Sequence, residues 1–103
     1  NKKNEFKMSM GDQQMDFIEV RELASIIGKI SLQNKVNGII NCCSGKPIRL
    51  DRFLKSQLTK WNSVISLKKG EYDYRDFESK IFWGDTSKMN KALKSFEENL
   101  KYI

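Results

Sequence analysis

Apolar and polar residues alternate from Met15 to Val20, which predicts a short strand over 15–20. Val20, Leu23, Ala24, Ile27 and Ile30 then recur at helical spacing and predict an amphipathic helix over about 20–32. "NKVNG" reads as a turn. The continuous apolar run "IINCCS", residues 39–44, predicts a strand buried on both faces. "GKP" ends it, and Leu50, Phe53, Leu54, Gln57 or Leu58, and Trp61 then line one stripe of a second helix. Asp51 falls in the first turn of that helix, where a negative charge suits the helix dipole. Residues 63–70 alternate again and predict a third strand, followed by an irregular stretch, "EYDYRDFESK", rich in aromatic and acidic residues. "IFWGDTS" reads as a short extended piece. Met89, Ala92, Leu93, Phe96 and Leu100 mark a final helix over about 86–101, with Asp85 or Ser87 able to cap it.

Strands alternating with helices predict an α/β layer architecture: a small mixed sheet of three to four short strands with three helices. The 103 residues suffice for a single domain, 1–103, with one modest core. Three or four short strands are few for a self-sufficient doubly wound domain, so the apolar faces look cut to fit something larger, and self-association is one expected consequence. The chain opens at Asn1, without an initiator methionine, and runs straight into patterned sequence, which leads us to expect an upstream segment. No apolar run approaches the roughly 20 residues of a membrane span, and "NKKNEFK" lacks the apolar core of a signal peptide. The expected setting is cytoplasmic, without membrane contact.

Chemistry narrows further by exclusion. There is no histidine and there are only two cysteines, Cys42 and Cys43, so an ordinary zinc site and a Cys-His catalytic pair cannot be built. Adjacent residues on a strand point to opposite faces, so the two thiols are expected reduced and partly buried. Neither G-x-G-x-x-G nor G-x-x-x-x-G-K-[ST] occurs, and no isolated acid-base pair stands out. No catalytic or metal-binding residue is expected. The net charge of +6 suits an anionic partner, although the lysines are spread over the whole length. The informative irregular stretch is "YDYRDFESKIFWGD". Arg75, flanked by Tyr74 and Asp76, offers a planar fork of donors to a phosphate, or else pairs with Asp76 or Glu78 on a surface loop.

Three segments carry a family resemblance. "MGDQQMDFIEVRELA" resembles the G-x-Q-x-R-D-F-[IV]-x-V-x-D-[VL]-A segment of the extended short-chain dehydrogenase/reductases, the NAD(P)-dependent epimerases, dehydratases and ketoreductases of nucleotide-activated sugars. "GIINCCSGKPIRLDRFL" resembles their G-x-x-N-[IV]-x-[ST]-G-x-P-[IV] segment, and "FWGDTSKMNKAL" their A-D-x-S-K-x-x-x-x-L. The three occur in the family's order and cover nearly the whole chain. "YDYRDFESKIFWGD" is similar to the variant found among ketoreductases and epimerases of surface-polysaccharide sugar pathways.

The resemblance implies the C-terminal substrate-binding region of a Rossmann-type enzyme. The glycine-rich dinucleotide loop and the Tyr-x-x-x-Lys catalytic pair would lie in an N-terminal Rossmann domain outside this sequence. NAD or NADP would then be bound by that domain, and the chain alone would neither bind it nor turn over substrate. The implied ligand is a nucleotide-diphosphate sugar. Arg75 matches the arginine that holds the diphosphate, and Gln13 a position at the ligand's edge. Asp16 matches a structural aspartate that ties its strand to neighbouring backbone. Met15 stands where the family usually has a second phosphate-binding arginine, a loss of about 1.5–3 kcal/mol for a charge-assisted pair unless Arg21 or Lys46 compensates or the ligand sits differently. Glu22 replaces the usual Asp. The alternative reading is a small basic α/β module that binds RNA or another polyanion; nucleic acid is the less expected partner.

Overall fold

The computed structural model describes residues 4–73 and 80–100. It is α/β, with three helices and, in place of the one mixed sheet expected, two separate two-stranded sheets. The chain divides into two compact units, Asn1–Met15 with Pro47–Phe82 and Asp16–Lys46 with Trp83–Ile103.

In the first unit β1 (Glu5–Lys7) lies parallel to β4 (Ser66–Lys68). The register pairs Phe6 with Leu67 and Lys7 with Lys68. Because side chains alternate across a strand, Phe6 and Leu67 share one face and the lysines the other. The like charges of that second face are eased by an ion pair of 3.2 Å from Lys68 to Glu71. Beyond the strands, the Met8 amide donates to Lys68 O at 3.0 Å and the Glu71 amide to Met8 O at 2.9 Å, which carries the buried Met8 into the core. The second sheet joins β2 (Gln14–Asp16) to β3 (Pro47–Arg49), and α2 (Leu50–Lys60) follows β3 directly. Ile81 adds a parallel bridge to Gln14, so part of "IFWGDTS" is extended as expected.

The second unit is a helix pair. In α1 (Val20–Ile30), Glu19 caps the N-terminus, its carboxylate accepting from the Arg21 amide at 2.9 Å and the Glu22 amide at 3.1 Å. In α3 (Ser87–Leu100), the carboxylate of Asp85 accepts from the Ser87 amide at 2.8 Å, so Asp85 fills the capping role foreseen for it. The two helices pack through Ile26 of α1 and Met89 and Ala92 of α3. Ala92 is fully buried, and its lack of side chain beyond Cβ lets the helices approach closely.

Several expectations are corrected. The strand expected over 15–20 stops at Asp16 because Glu19 is spent as a helix cap. The first helix ends at Ile30 rather than 32, where the Ser31 hydroxyl turns back onto Gly28 O at 2.6 Å. Its apolar stripe also divides: Ile26 is buried, whereas Val20, Ala24 and Ile27 are exposed. Residues 39–44 form no strand, and Ile39, expected buried, is 86% exposed. A strand buried on both faces needs a neighbouring strand to pair with, and none of the described strands lies alongside this run. Of residues 63–70 only 66–68 pair, after a turn in which Asn62 takes a positive φ of 53°. β1 and β3, three residues each, were not expected.

Candidate functional site

The best-organised polar centre of the second unit is the carboxylate of Asp16. Its Oδ1 accepts from the Ser44 amide at 2.9 Å and the Ser44 hydroxyl at 2.6 Å. Its Oδ2 accepts from the Gly45 amide at 2.8 Å and the Gly84 amide at 3.0 Å. Burial pushes this carboxyl up, but the Ser44 hydroxyl and the three amides outweigh it and hold the pKa at about 2. Asp16 is therefore fully charged at neutral pH and is not a proton donor. Its neighbours explain why two glycines stand here. A Cβ on Gly45, whose φ is +73°, would come within 2.6 Å of Thr86 Cγ2, and one on Gly84 would strike the Cys43 sulfur. Bare backbone at both positions lets the amides converge on one carboxylate. The Cys43 thiol is pushed up by burial and then by the Asp16 charge, which favours its protonated form. Both cysteines are free and half-buried, as expected.

A hollow of the same unit, about 540 Å³, lies over Ser44, with Lys46, Cys43, Met89 and Asn90 in its wall. Of the two cations considered as substitutes for an arginine at position 15, Arg21 is engaged with Glu19 at 3.1 Å, whereas Lys46 lines this hollow.

In the first unit a second carboxylate organises the start of α2. Asp51 is buried and receives a two-pronged contact from Arg49, 3.1 Å from Nε and 2.9 Å from Nη2, together with Lys69 Nζ at 2.7 Å. Lys69, opposed by burial and helped by Arg49, brings its pKa to about 2. The Asp51 amide donates to Gly11 O at 2.8 Å and the Leu50 amide to Gln13 O at 2.9 Å, so loop 11–13 is fastened to the helix start. Gly11 belongs here with φ +73°, since a Cβ would lie 2.5 Å from Met8 Cε. Gln13 is held in this loop at 7% exposure, and its Oε1 has no hydrogen-bond partner among the described residues. A buried amide oxygen without a donor is costly, at about 1–3 kcal/mol.

Of the two site residues expected from sequence, Gln13 is thus placed in the first unit with a vacant acceptor, and Arg75 falls in 74–79, outside the described residues. Met15, two residues after Gln13, is exposed. The partners of Asp16 and the Arg49–Asp51–Lys69 cluster were missed. The Ser44-Gly45 pair after an apolar run was the available signal for the first; nothing in the spacing announced the second. Among the described residues no group of three or more His, Cys, Asp or Glu is placed to hold a metal ion, and no helix is long and apolar enough to cross a membrane.

Over 79 residues, 77% of its length, the chain is 30% identical to dTDP-6-deoxy-L-talose 4-dehydrogenase (NAD(+)) of Aggregatibacter actinomycetemcomitans. It resembles a nucleotide-sugar dehydrogenase. The match spans 29% of that relative's length. No protein-family model matches the chain, and no solved structure matches it.

Proposed function

We propose that this chain is the substrate-binding region of a cytoplasmic NAD(P)-dependent enzyme that modifies a nucleotide-linked sugar. The observation that carries the reading is the Asp16 centre. Each of the three segments that resemble the dehydrogenase/reductase family contributes to it: Asp16 from the first, Ser44 and Gly45 from the second, Gly84 from the third. Motifs far apart in sequence that meet on one carboxylate behave as parts of one design. The 30% identity to an NAD(+)-dependent dTDP-sugar dehydrogenase supports the same ligand class.

In this reading the first unit holds the ligand. Arg75 grips the diphosphate, and the vacant Gln13 Oε1 accepts a hydrogen bond from a hydroxyl or N–H of the nucleotide-sugar. The second unit faces a Rossmann domain that supplies the dinucleotide site and the catalytic residues. Two features support that assignment. One face of α1, with Val20, Ala24 and Ile27, is apolar and uncovered, and Ile39 opens an apolar run with no strand beside it. A helix apolar on two sides and an unpaired apolar segment both suit burial by a further layer. Whether the enzyme epimerises, dehydrates or reduces rests with residues of that domain.

The test is the longer protein that carries this chain, incubated with dTDP-6-deoxy-L-talose and related nucleotide-sugars in the presence of NAD+ or NADP+. Formation of NADH or NADPH, or conversion of the sugar with the cofactor retained, is expected. A complete lack of both cofactor binding and turnover across such a panel overturns the reading.

A further inference from the structure

We propose that the first unit carries a docking hollow for an acidic protein segment bearing a single large apolar side chain. This surface is separate from the Gln13 and Asp16 centres, and the proposal stands whether or not the chain serves a nucleotide-sugar enzyme. The hollow measures about 190 Å³ and is walled by Phe6, Leu54, Leu58, Trp61, Ile65 and Leu67 together with Gln57. It arises directly from local structure. The β1–β4 register turns Phe6 and Leu67 to the same face, and Leu54, Leu58 and Trp61 recur at helical spacing along α2 and its C-terminal end. These residues do not close upon one another: Trp61 stays 73% exposed and Phe6 54%. Tryptophan is among the residue types enriched where interfaces are anchored.

Charge selects the occupant. Leu58, Ile65 and Leu67 also line a wider hollow alongside, whose charged residues are Lys55 and Lys69, with no carboxylate in its wall. Lys60 Nζ lies 5.8 Å from the centre of the Trp61 ring, adding a third cation. Of the three, Lys69 is paired, to the buried Asp51; Lys55 and Lys60 lie exposed on α2. A second copy of the chain meeting this face about a two-fold axis would bring the same lysines into opposition. A flat lipid surface leaves a concave hollow unfilled. A segment with one Leu, Phe or Trp among aspartates and glutamates fills the hollow and meets the lysines.

The experiment pans a random-peptide display library against the immobilised longer protein that carries this chain, then measures selected peptides in solution against that protein and two variants. Enriched peptides are expected to share one large apolar residue within an acidic sequence. Trp61→Ala is expected to weaken them about tenfold and Lys55→Glu about fivefold, with far-UV circular dichroism unchanged. Lys55 is exposed, so that variant keeps the test decisive if Trp61→Ala does not fold. The proposal is overturned by peptides without a shared pattern, by basic peptides, or by binding that neither substitution weakens. It is equally overturned if the hollow serves another occupant. That result would be binding to phosphatidylserine vesicles that Trp61→Ala abolishes while no peptide binds, or a dimer in sedimentation that Trp61→Ala dissociates.

Discussion

Replacing Asp16 with asparagine keeps the size of the side chain and removes its charge and one acceptor. Asparagine presents one carbonyl oxygen and one NH2 group. If the oxygen stays on Ser44, the NH2 faces the amides of Gly45 and Gly84, donor against donor. Each donor left without an acceptor costs about 1–3 kcal/mol, and because Asp16 is half-buried, water relieves part of this, which places the total at about 2–3 kcal/mol. The pH dependence gives a second, independent handle. The native carboxyl titrates at about 2 against an ordinary 3.8. A depressed carboxyl stabilises the folded state fully above its ordinary pKa and loses that contribution as the pH falls toward 2. For a partly solvated group this amounts to no more than about 2 kcal/mol. Urea denaturation followed by far-UV circular dichroism should therefore show Asp16→Asn destabilised at pH 7, with the gap to the wild type narrowing between about pH 5 and pH 2. A gap below about 0.5 kcal/mol at pH 7, or one that does not change with pH, would refute the reasoning.

Three further outcomes follow from the same geometry. Gly45→Ala should destabilise by about 1–3 kcal/mol in thermal or urea unfolding, whereas Gly28→Ala, where a Cβ meets open space within α1, should stabilise by about 0.5–1 kcal/mol. The Cys43 thiol, pushed up by burial and the nearby Asp16 charge, should react with iodoacetamide at pH 8 more slowly than glutathione, and Asp16→Asn should speed it. Concentration-dependent self-association of the 103-residue chain should be measurable by sedimentation and should fall in Ile39→Ser, since Ile39 is the most exposed of the large apolar residues described in its unit.

Helices were the legible part of this fold, and strands the illegible part. α3 begins and ends within a residue of the expected positions, and α2 covers the expected stripe, because their apolar residues repeat over three turns or more. β1 and β3 escaped notice because three residues hold no readable alternation, and their pairing partners lie elsewhere in the chain. The run 39–44 has the composition of a strand, but composition cannot supply the neighbour that a ladder needs. Of the candidate site, Asp16 was legible only through resemblance, which implied a tie to backbone and found it in Ser44, Gly45 and Gly84. The Asp51 cluster was invisible because Arg49, Asp51 and Lys69 come together through folding, while the helix dipole gave Asp51 a sufficient local explanation.

The central claim is that Gln13 and Arg75 bind a nucleotide-sugar, and equilibrium binding of dTDP-sugars to the longer protein tests it most directly. Calorimetry should show Arg75→Ala weakened by about ten- to a hundredfold, the loss of a charge-assisted contact to phosphate, and Gln13→Ala by about fivefold, with unfolding midpoints little changed by Arg75→Ala. Affinity for the nucleotide-sugar that is the same in the wild type and both variants would contradict it.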